Sequence, residues 1–274
     1  MKPAFSNAET IQLHAKWDRD VAFADRQILP TENKSQRGKI RIVPGTKRIS
    51  IFDLDRTLTR RPTYSLFLLQ AAWRRAPWRL CLIPLLLPHA IAYFLELLPR
   101  KRLKETMHWL MLGSELNRAE VQNLAECFAR DLVERGLYPE AMGRLRSEAV
   151  AGRRIVIASA APAFYVEPLA RLLGVADIVA TTETWHGNQL CPRIFGENCY
   201  GFEKQRKLAR FLRHAGIARR EAHIRFFSDD LADLPTFEWC DEAIVVNPGA
   251  ALHAVARERR WPVLKWRGKQ GATA

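Results

Sequence analysis

Acidic residues are missing where a basic chain would most need them. Between Arg56 and Leu95 there is no aspartate or glutamate, and over the whole chain 29 acidic side chains face 43 lysines and arginines, a formal charge of +14. That balance excludes an acidic solvating protein and favours an anionic partner, whether a nucleic acid, a membrane surface or a phosphorylated molecule. Cysteine is sparse and unpatterned. Cys81, Cys127, Cys191, Cys199 and Cys240 are odd in number and never form C-x-x-C, which excludes a disulfide-stapled scaffold and fits reduced thiols in a cytosolic protein. With 14 glycines and 15 prolines in 274 residues, collagenous and low-complexity classes fall away. No internal repeat is visible. The first 47 residues contain no apolar h-region, so no secretory signal is expected, and Met1 to Lys47 reads as a polar tail ending in the turn Pro44-Gly45-Thr46.

What the chain does contain is a set of short, almost continuously apolar runs: Ile49–Phe52, Ile155–Ala158, Ile178–Ala180, Ile224–Phe227 and Ala243–Val246. Helical stretches such as Phe164 to Leu173 and Lys204 to His214 separate them. Apolar runs without alternation suit strands buried on both faces, so the expected fold class is α/β, a Rossmann-like parallel sheet with ligands at the carboxyl ends of its strands. Between the first and second runs lie about ninety residues, Arg60 to Ala151, with helical periodicity at Val121, Leu124, Ala125, Phe128 and Leu132. One crossover does not need that length, which predicts an inserted all-helical cap. The expected division is a core of residues 48–62 and 150–268, a cap of 63–149, and tails of 1–47 and 269–274.

Chemistry-bearing residues gather where strands end. Asp53-Leu54-Asp55-Arg56-Thr57 follows the first run, and carboxylates two apart at a strand end lean to the same side, so one can attack while the other moves a proton. Ser159 follows the second run in a small-residue turn whose hydroxyl and amides could hold a phosphate oxygen or cap a helix. Lys204 opens a helix after Gly201. Ser228-Asp229-Asp230-Leu231-Ala232-Asp233 follows the fourth run, with Asp229 and Asp233 spaced to share a helical face and offering the hard oxygens that suit Mg²⁺. Singly each has a plain structural reading; four of them in order at one sheet edge do not.

Together, D-x-D-x-T, then Ser, then Lys, then S-D-x-x-x-D resemble the haloacid dehalogenase superfamily of phosphohydrolases, subfamily IB, in which a helical cap follows the first motif. The resemblance implies Asp53 as a nucleophile forming an aspartyl-phosphate and Asp55 as general acid and then base. It implies phosphoryl binding by Thr57, Ser159 and Lys204, and Mg²⁺ held by Asp53, Asp55 (through its main-chain carbonyl) and Asp229, with Asp233 in support.

The cap carries its own signal. From Leu80 through Leu95 no charged residue occurs, and between Arg60 and Lys104 nine basic residues accompany Glu96 alone. Pro84 and Pro88 argue against a full membrane crossing, whereas basic residues and tryptophans around an apolar helix suit an anionic membrane surface. This pattern, with Leu110-Met111-Leu112-Gly113 after Arg-Lys-Arg, resembles the phosphatidylglycerophosphatase C group of bacterial enzymes, which implies a lipid phosphate monoester as substrate and a cytoplasmic chain peripheral to the inner face of the membrane. Phosphoserine phosphatases carry a glutamate nine residues past the nucleophile; here Pro62 stands there. A soluble-metabolite phosphatase with a merely packed cap remains the rival within enzymes, and a noncatalytic basic scaffold or nucleic-acid binder the rival outside them. No nucleic-acid fold or stacking-aromatic pattern is present, so no nucleic-acid partner is expected. Residues Thr181 to Tyr200 are expected to form a flap over the site, and the seven histidines show no metal-ligand spacing.

Overall fold

The computed structural model describes residues 46–114 and 116–267; of the expected tails 1–47 and 269–274, all but residues 46 and 47 lie outside the described residues. From the amino end come β1 (Lys47–Phe52), α1 (Thr63–Arg75), a 3-10 helix over Pro77–Leu86, α2 (Leu87–Phe94), α3 (Arg100–Leu112), the two-residue β2 (Leu116–Asn117), α4 (Arg118–Asp131) and α5 (Pro139–Val150). The chain continues through β3 (Arg154–Pro162), α6 (Ala163–Leu172), β4 (Asp177–Thr181), β5 (Glu183–His186), β6 (Gln189–Ile194), α7 (Phe202–His214), β7 (Ala222–Ser228), α8 (Leu234–Trp239), β8 (Glu242–Val246), α9 (Ala250–Glu258) and β9 (Val263–Leu264). The first strand begins at Lys47, one residue inside the segment expected as tail.

Six strands pair in the order β4-β3-β1-β7-β8-β9, all parallel. This is the α/β sheet that the apolar runs require. β1 sits between β3 and β7, so the connections diverge from it and leave a crevice beyond its carboxyl end. Its residues Ile49, Ile51 and Phe52 are fully buried, each worth about 1.5–3 kcal/mol of transfer free energy. Phe52 stacks on Phe227 at 4.3 Å, and the Asp53 amide donates to the Phe227 carbonyl at 2.9 Å. The ladder therefore runs unbroken to the first aspartate and fixes where it stands.

The inserted segment is helical except for β2, which pairs antiparallel with β6 and joins β5 in a three-stranded sheet. The segment expected as a flap is thus a hairpin tied to the insertion. α4 buries Val121, Ala125 and Phe128, on the expected stripe. Phe67, Phe128 and Tyr165 meet at ring separations of 4.9–5.4 Å, which continues the core from sheet to insertion.

Pro84 and Pro88 do not break their stretch. Pro84 lies inside the 3-10 helix and Pro88 in the first turn of α2, where a missing N–H costs little. Pro77–Phe94 is consequently a continuous helical stretch of 18 residues, long and apolar enough by length and composition to cross a membrane, with none of it buried. Leu80, Leu82 and Leu86 lean on the core. Trp78, Leu87 and Phe94 are 61%, 62% and 81% exposed. Gly113 ends α3 at φ +80°, and a Cβ there would lie 2.7 Å from Arg79 Nη2; glycine lets Arg79 close in and donate to the Trp109 and Leu110 carbonyls at 3.2 and 2.9 Å.

The basic residues of this region are less free than their number suggests. Lys104 is buried, Arg75 binds Glu120 at 2.6 Å, Arg79 caps α3, and Arg100 lies 3.8 Å over the Tyr200 ring. Much of the local charge is spent inside the fold.

Candidate active site

Four elements deliver side chains beyond the carboxyl edge of the sheet. After β1 the loop turns sharply: Arg56 takes φ +58°, a left-handed conformation unusual for a side chain of this size. The turn lets the Leu58 and Thr59 amides both donate back to the Leu54 carbonyl at 2.9 Å. Asp53 and Asp55 are thereby held on a rigid elbow.

Lys204 is not a solvated lysine. It is 2% exposed in the first turn of α7, and its ammonium donates to Asp53 Oδ1 at 2.7 Å and Asp233 Oδ2 at 2.6 Å. Ser228 donates to the same Asp233 oxygen at 2.6 Å, while Asp233 Oδ1 is buried without a partner. The expected shared helical face of Asp229 and Asp233 gives way to a different arrangement. Asp230 caps a short 3-10 turn by accepting from the Ala232 amide at 3.0 Å, which sends Asp233 to Lys204 and leaves Asp229 to accept from the Thr57 hydroxyl at 3.1 Å. Thr57 is thus committed to Asp229 in this structure. Ser159 also differs from its expected turn: β3 runs on to Pro162 with its register slipping between Ala158 and Pro162, and the Ser159 hydroxyl accepts from the Ala161 amide at 3.0 Å.

The electrostatics are short of positive charge. Burial pushes the Asp53 carboxyl well above its usual range; Lys204 opposes this, and Asp233 and Asp229 add to it. Burial lifts Asp229 to about 7 against the Thr57 hydrogen bond. The Lys204 ammonium is raised despite burial, because Asp233 and Asp53 hold its proton. Asp53 and Asp233 share the Lys204 ammonium, and Asp229 stands close enough to act on Asp53; hard carboxylate oxygens in such excess, one of them orphaned, fit a divalent cation. Among the described residues no three His, Cys, Asp or Glu side chains form a closed cage. A cation held by two carboxylates and completed by carbonyl, phosphate and water is the way Mg²⁺ usually binds.

Several residues were invisible to pattern reasoning. Asp55 Oδ1 accepts from both the Thr63 amide (2.8 Å) and the Thr63 hydroxyl (2.6 Å), and that hydroxyl accepts in turn from Tyr165 at 3.0 Å. Lys104 of α3 donates to the Ala160 carbonyl at 2.7 Å and to Asn198 Oδ1 at 2.9 Å. The Thr181 hydroxyl sits 2.8 and 2.9 Å from the same two acceptors. No sequence spacing links these residues; only the capping of α1 directly after Pro62 hints that Thr63 could reach back.

Burial, reinforced by Arg100 and offset by Asp55, lowers Lys104 from the ordinary 10.5 to about 7. The unfolded chain therefore binds more protons than the folded one between about pH 7 and 10.5, so stability rises with pH across that window. Lys104→Met removes the group, and the urea midpoint of the variant should be flatter than wild type between pH 7 and 10. Equal slopes in the two proteins would refute the assignment.

A buried lysine shared by two carboxylates beyond the carboxyl edge of a parallel sheet puts this molecule in the class of hydrolases built on a covered α/β core. Within that class the chain belongs to the haloacid dehalogenase-like hydrolases, whose family model matches residues 51–238. It is 29% identical over 148 residues, 54% of its own length and 50% of the relative, to the Mycobacterium tuberculosis protein named Probable phosphatase. Similarity to a histidinol-phosphatase of Neisseria meningitidis is 28% over 158 residues, 56% of this chain and 71% of the relative. The chain spans about half the length of the first of these curated relatives. A solved Bordetella pertussis protein of unknown function is 26% identical with a TM-score of 0.73, over 80% of this chain and 98% of that one.

Proposed function

We propose that the protein is a Mg²⁺-dependent phosphomonoesterase working through an aspartyl-phosphate on Asp53, and that its substrate is a phospholipid phosphate such as phosphatidylglycerophosphate. The observation that carries the chemistry is the charge deficit around Lys204. Asp53 and Asp229, with the main-chain carbonyl of Asp55 and support from Asp233, would hold the cation, which when bound supplies charge neutralisation to phosphoryl oxygens.

Asp53 attacks phosphorus and the ester oxygen leaves, taking a proton from Asp55. A water then attacks the acyl phosphate, Asp55 takes its proton, and inorganic phosphate departs with Asp53 restored. Thr63 occupies Asp55 Oδ1 twice, which leaves the other oxygen for the proton. Lys204 steadies Asp53 and faces the phosphoryl charge, and the Ser159 hydroxyl, in the slipped register of β3, would receive a phosphoryl oxygen.

Support for a lipid substrate and an anionic membrane surface comes from the unburied Pro77–Phe94 stretch, with exposed Trp78 within it and exposed Trp73 just before it. Phosphate release from phosphatidylglycerophosphate, phosphatidate, phosphoserine and a sugar phosphate at fixed Mg²⁺ tests both parts. Release should vanish with EDTA and return with Mg²⁺, and the lipids should be preferred. Equal rates on all four substrates would leave a phosphatase of soluble metabolites.

A further inference from the structure

A groove of about 650 Å³ opens between α1, the 3-10 helix and α4, within the size range of small-molecule sites. Leu66, Leu69, Trp73 and Leu80 form its apolar wall, and Arg60, Arg61 and Arg135 stand at its rim. The acidic residue there is Asp131, which meets the Gln70 amide at 2.5 Å, Arg74 at 3.3 Å and Arg135 at 3.9 Å; Arg135 also meets Glu134 at 3.8 Å, so the cationic character of the rim rests on Arg60 and Arg61. An apolar trough with a cationic rim is complementary to an amphiphile with an anionic head, and is poorly matched to a neutral or cationic ligand.

Position ties the groove to the reacting residues. Arg60 and Arg61 lie in the link of seven residues between Asp55 and Thr63, the residue that clamps Asp55. That link is rigid. Thr59 Oγ1 lies 2.8 Å from the Arg61 carbonyl and 3.1 Å from that of Leu54, the Arg60 amide donates to the Gly136 carbonyl at 2.8 Å, and Arg60 Nε donates to the Leu137 carbonyl at 3.1 Å. Leu80, which lines the groove, belongs to the unburied stretch Pro77–Phe94.

We infer that this groove is an acyl-chain subsite, taking the tail of the lipid whose phosphate reaches Asp53, with the rim arginines over its anionic head. The inference rests on the lipid reading of the substrate, and it assigns the tail a place within the protein rather than leaving it in the bilayer. Each methylene withdrawn from water is worth about fourfold in affinity, so a chain seated along the wall would dominate KM.

The test compares lysophosphatidate with glycerol 3-phosphate, which share a phosphate ester and differ by the chain. Leu69 is 41% exposed and outside the core cluster, so Leu69→Glu is expected to leave the core intact. That variant should lower the ratio of kcat/KM for lysophosphatidate over glycerol 3-phosphate at least tenfold. Lysophosphatidate brominated along its chain should quench tryptophan fluorescence in the full-length protein, and Trp73→Phe should remove the quenching. An unchanged ratio together with quenching that survives Trp73→Phe overturns the inference. Quenching at Trp73 without turnover of any lipid supports the groove and overturns the lipid reading of the substrate. Self-association of the full chain that Leu69→Glu abolishes would make a second copy the occupant, and would also overturn the inference.

Discussion

Asp53→Asn should abolish phosphate release while leaving the fold nearly untouched. The substitution keeps shape and hydrogen-bonding capacity, so the new amide oxygen can still accept from Lys204, whose ammonium lies 2.7 Å from Asp53 Oδ1 in the native protein. What it removes is the nucleophile. Loss of a covalent nucleophile costs about 10⁴-fold or more in kcat. Stability should change by no more than about 1 kcal/mol, because the attraction lost to Lys204 is offset by release from burial, the main cause of the raised Asp53 carboxyl. Lys204 also keeps its bond to Asp233. Single-turnover phosphate release and thermal unfolding on the same preparation give both numbers. Turnover within tenfold of wild type in the folded variant would sink the assignment of Asp53.

The two halves of that forecast differ in how they could be known. The strands of the parallel sheet, though not their order, were readable from sequence because a parallel strand buried on both faces tolerates only apolar residues, and Ile49–Phe52 or Ile224–Phe227 announce themselves by having no alternation. The reactive aspartates were readable because the runs stop at them. What stayed hidden depends on neighbours remote in sequence. Lys204 in isolation looks like a surface lysine; its burial between Asp53 and Asp233 follows from α7 packing against β3, β4 and the 3-10 turn Leu231–Asp233. The Tyr165–Thr63–Asp55 chain joins positions 102 residues apart. The prolines at 84 and 88 leave the chain helical for a local reason: Pro84 falls in a 3-10 segment, and Pro88 in a helix first turn where a missing donor costs little. Counting basic residues misled for a tertiary one: Lys104 and Arg79 answer carbonyls of the fold rather than an external surface.

The lysine is the more revealing target for stability. In Lys204→Met the carboxylates of Asp53 and Asp233, 8% and 0% exposed, lose their shared cation. Breaking a buried pair from one side costs about 3–5 kcal/mol, because the remaining charges have neither water nor a partner, and that corresponds to about 10 °C or more in Tm for a domain of this size. The sign with pH is also fixed. Without Lys204 burial raises the Asp53 carboxyl further, so the folded variant holds protons that the unfolded chain releases above the ordinary carboxylate range. Its stability should therefore fall as pH rises from 5 to 8, and the gap to wild type should widen over the same interval. Adding Asp53→Asn to Lys204→Met removes one of the stranded charges and should recover a measurable part of the loss, giving a coupling energy between the two sites. A Lys204→Met protein as stable as wild type at pH 8, or a double variant no more stable than the single one, would mean that the ammonium does not hold these carboxylates together.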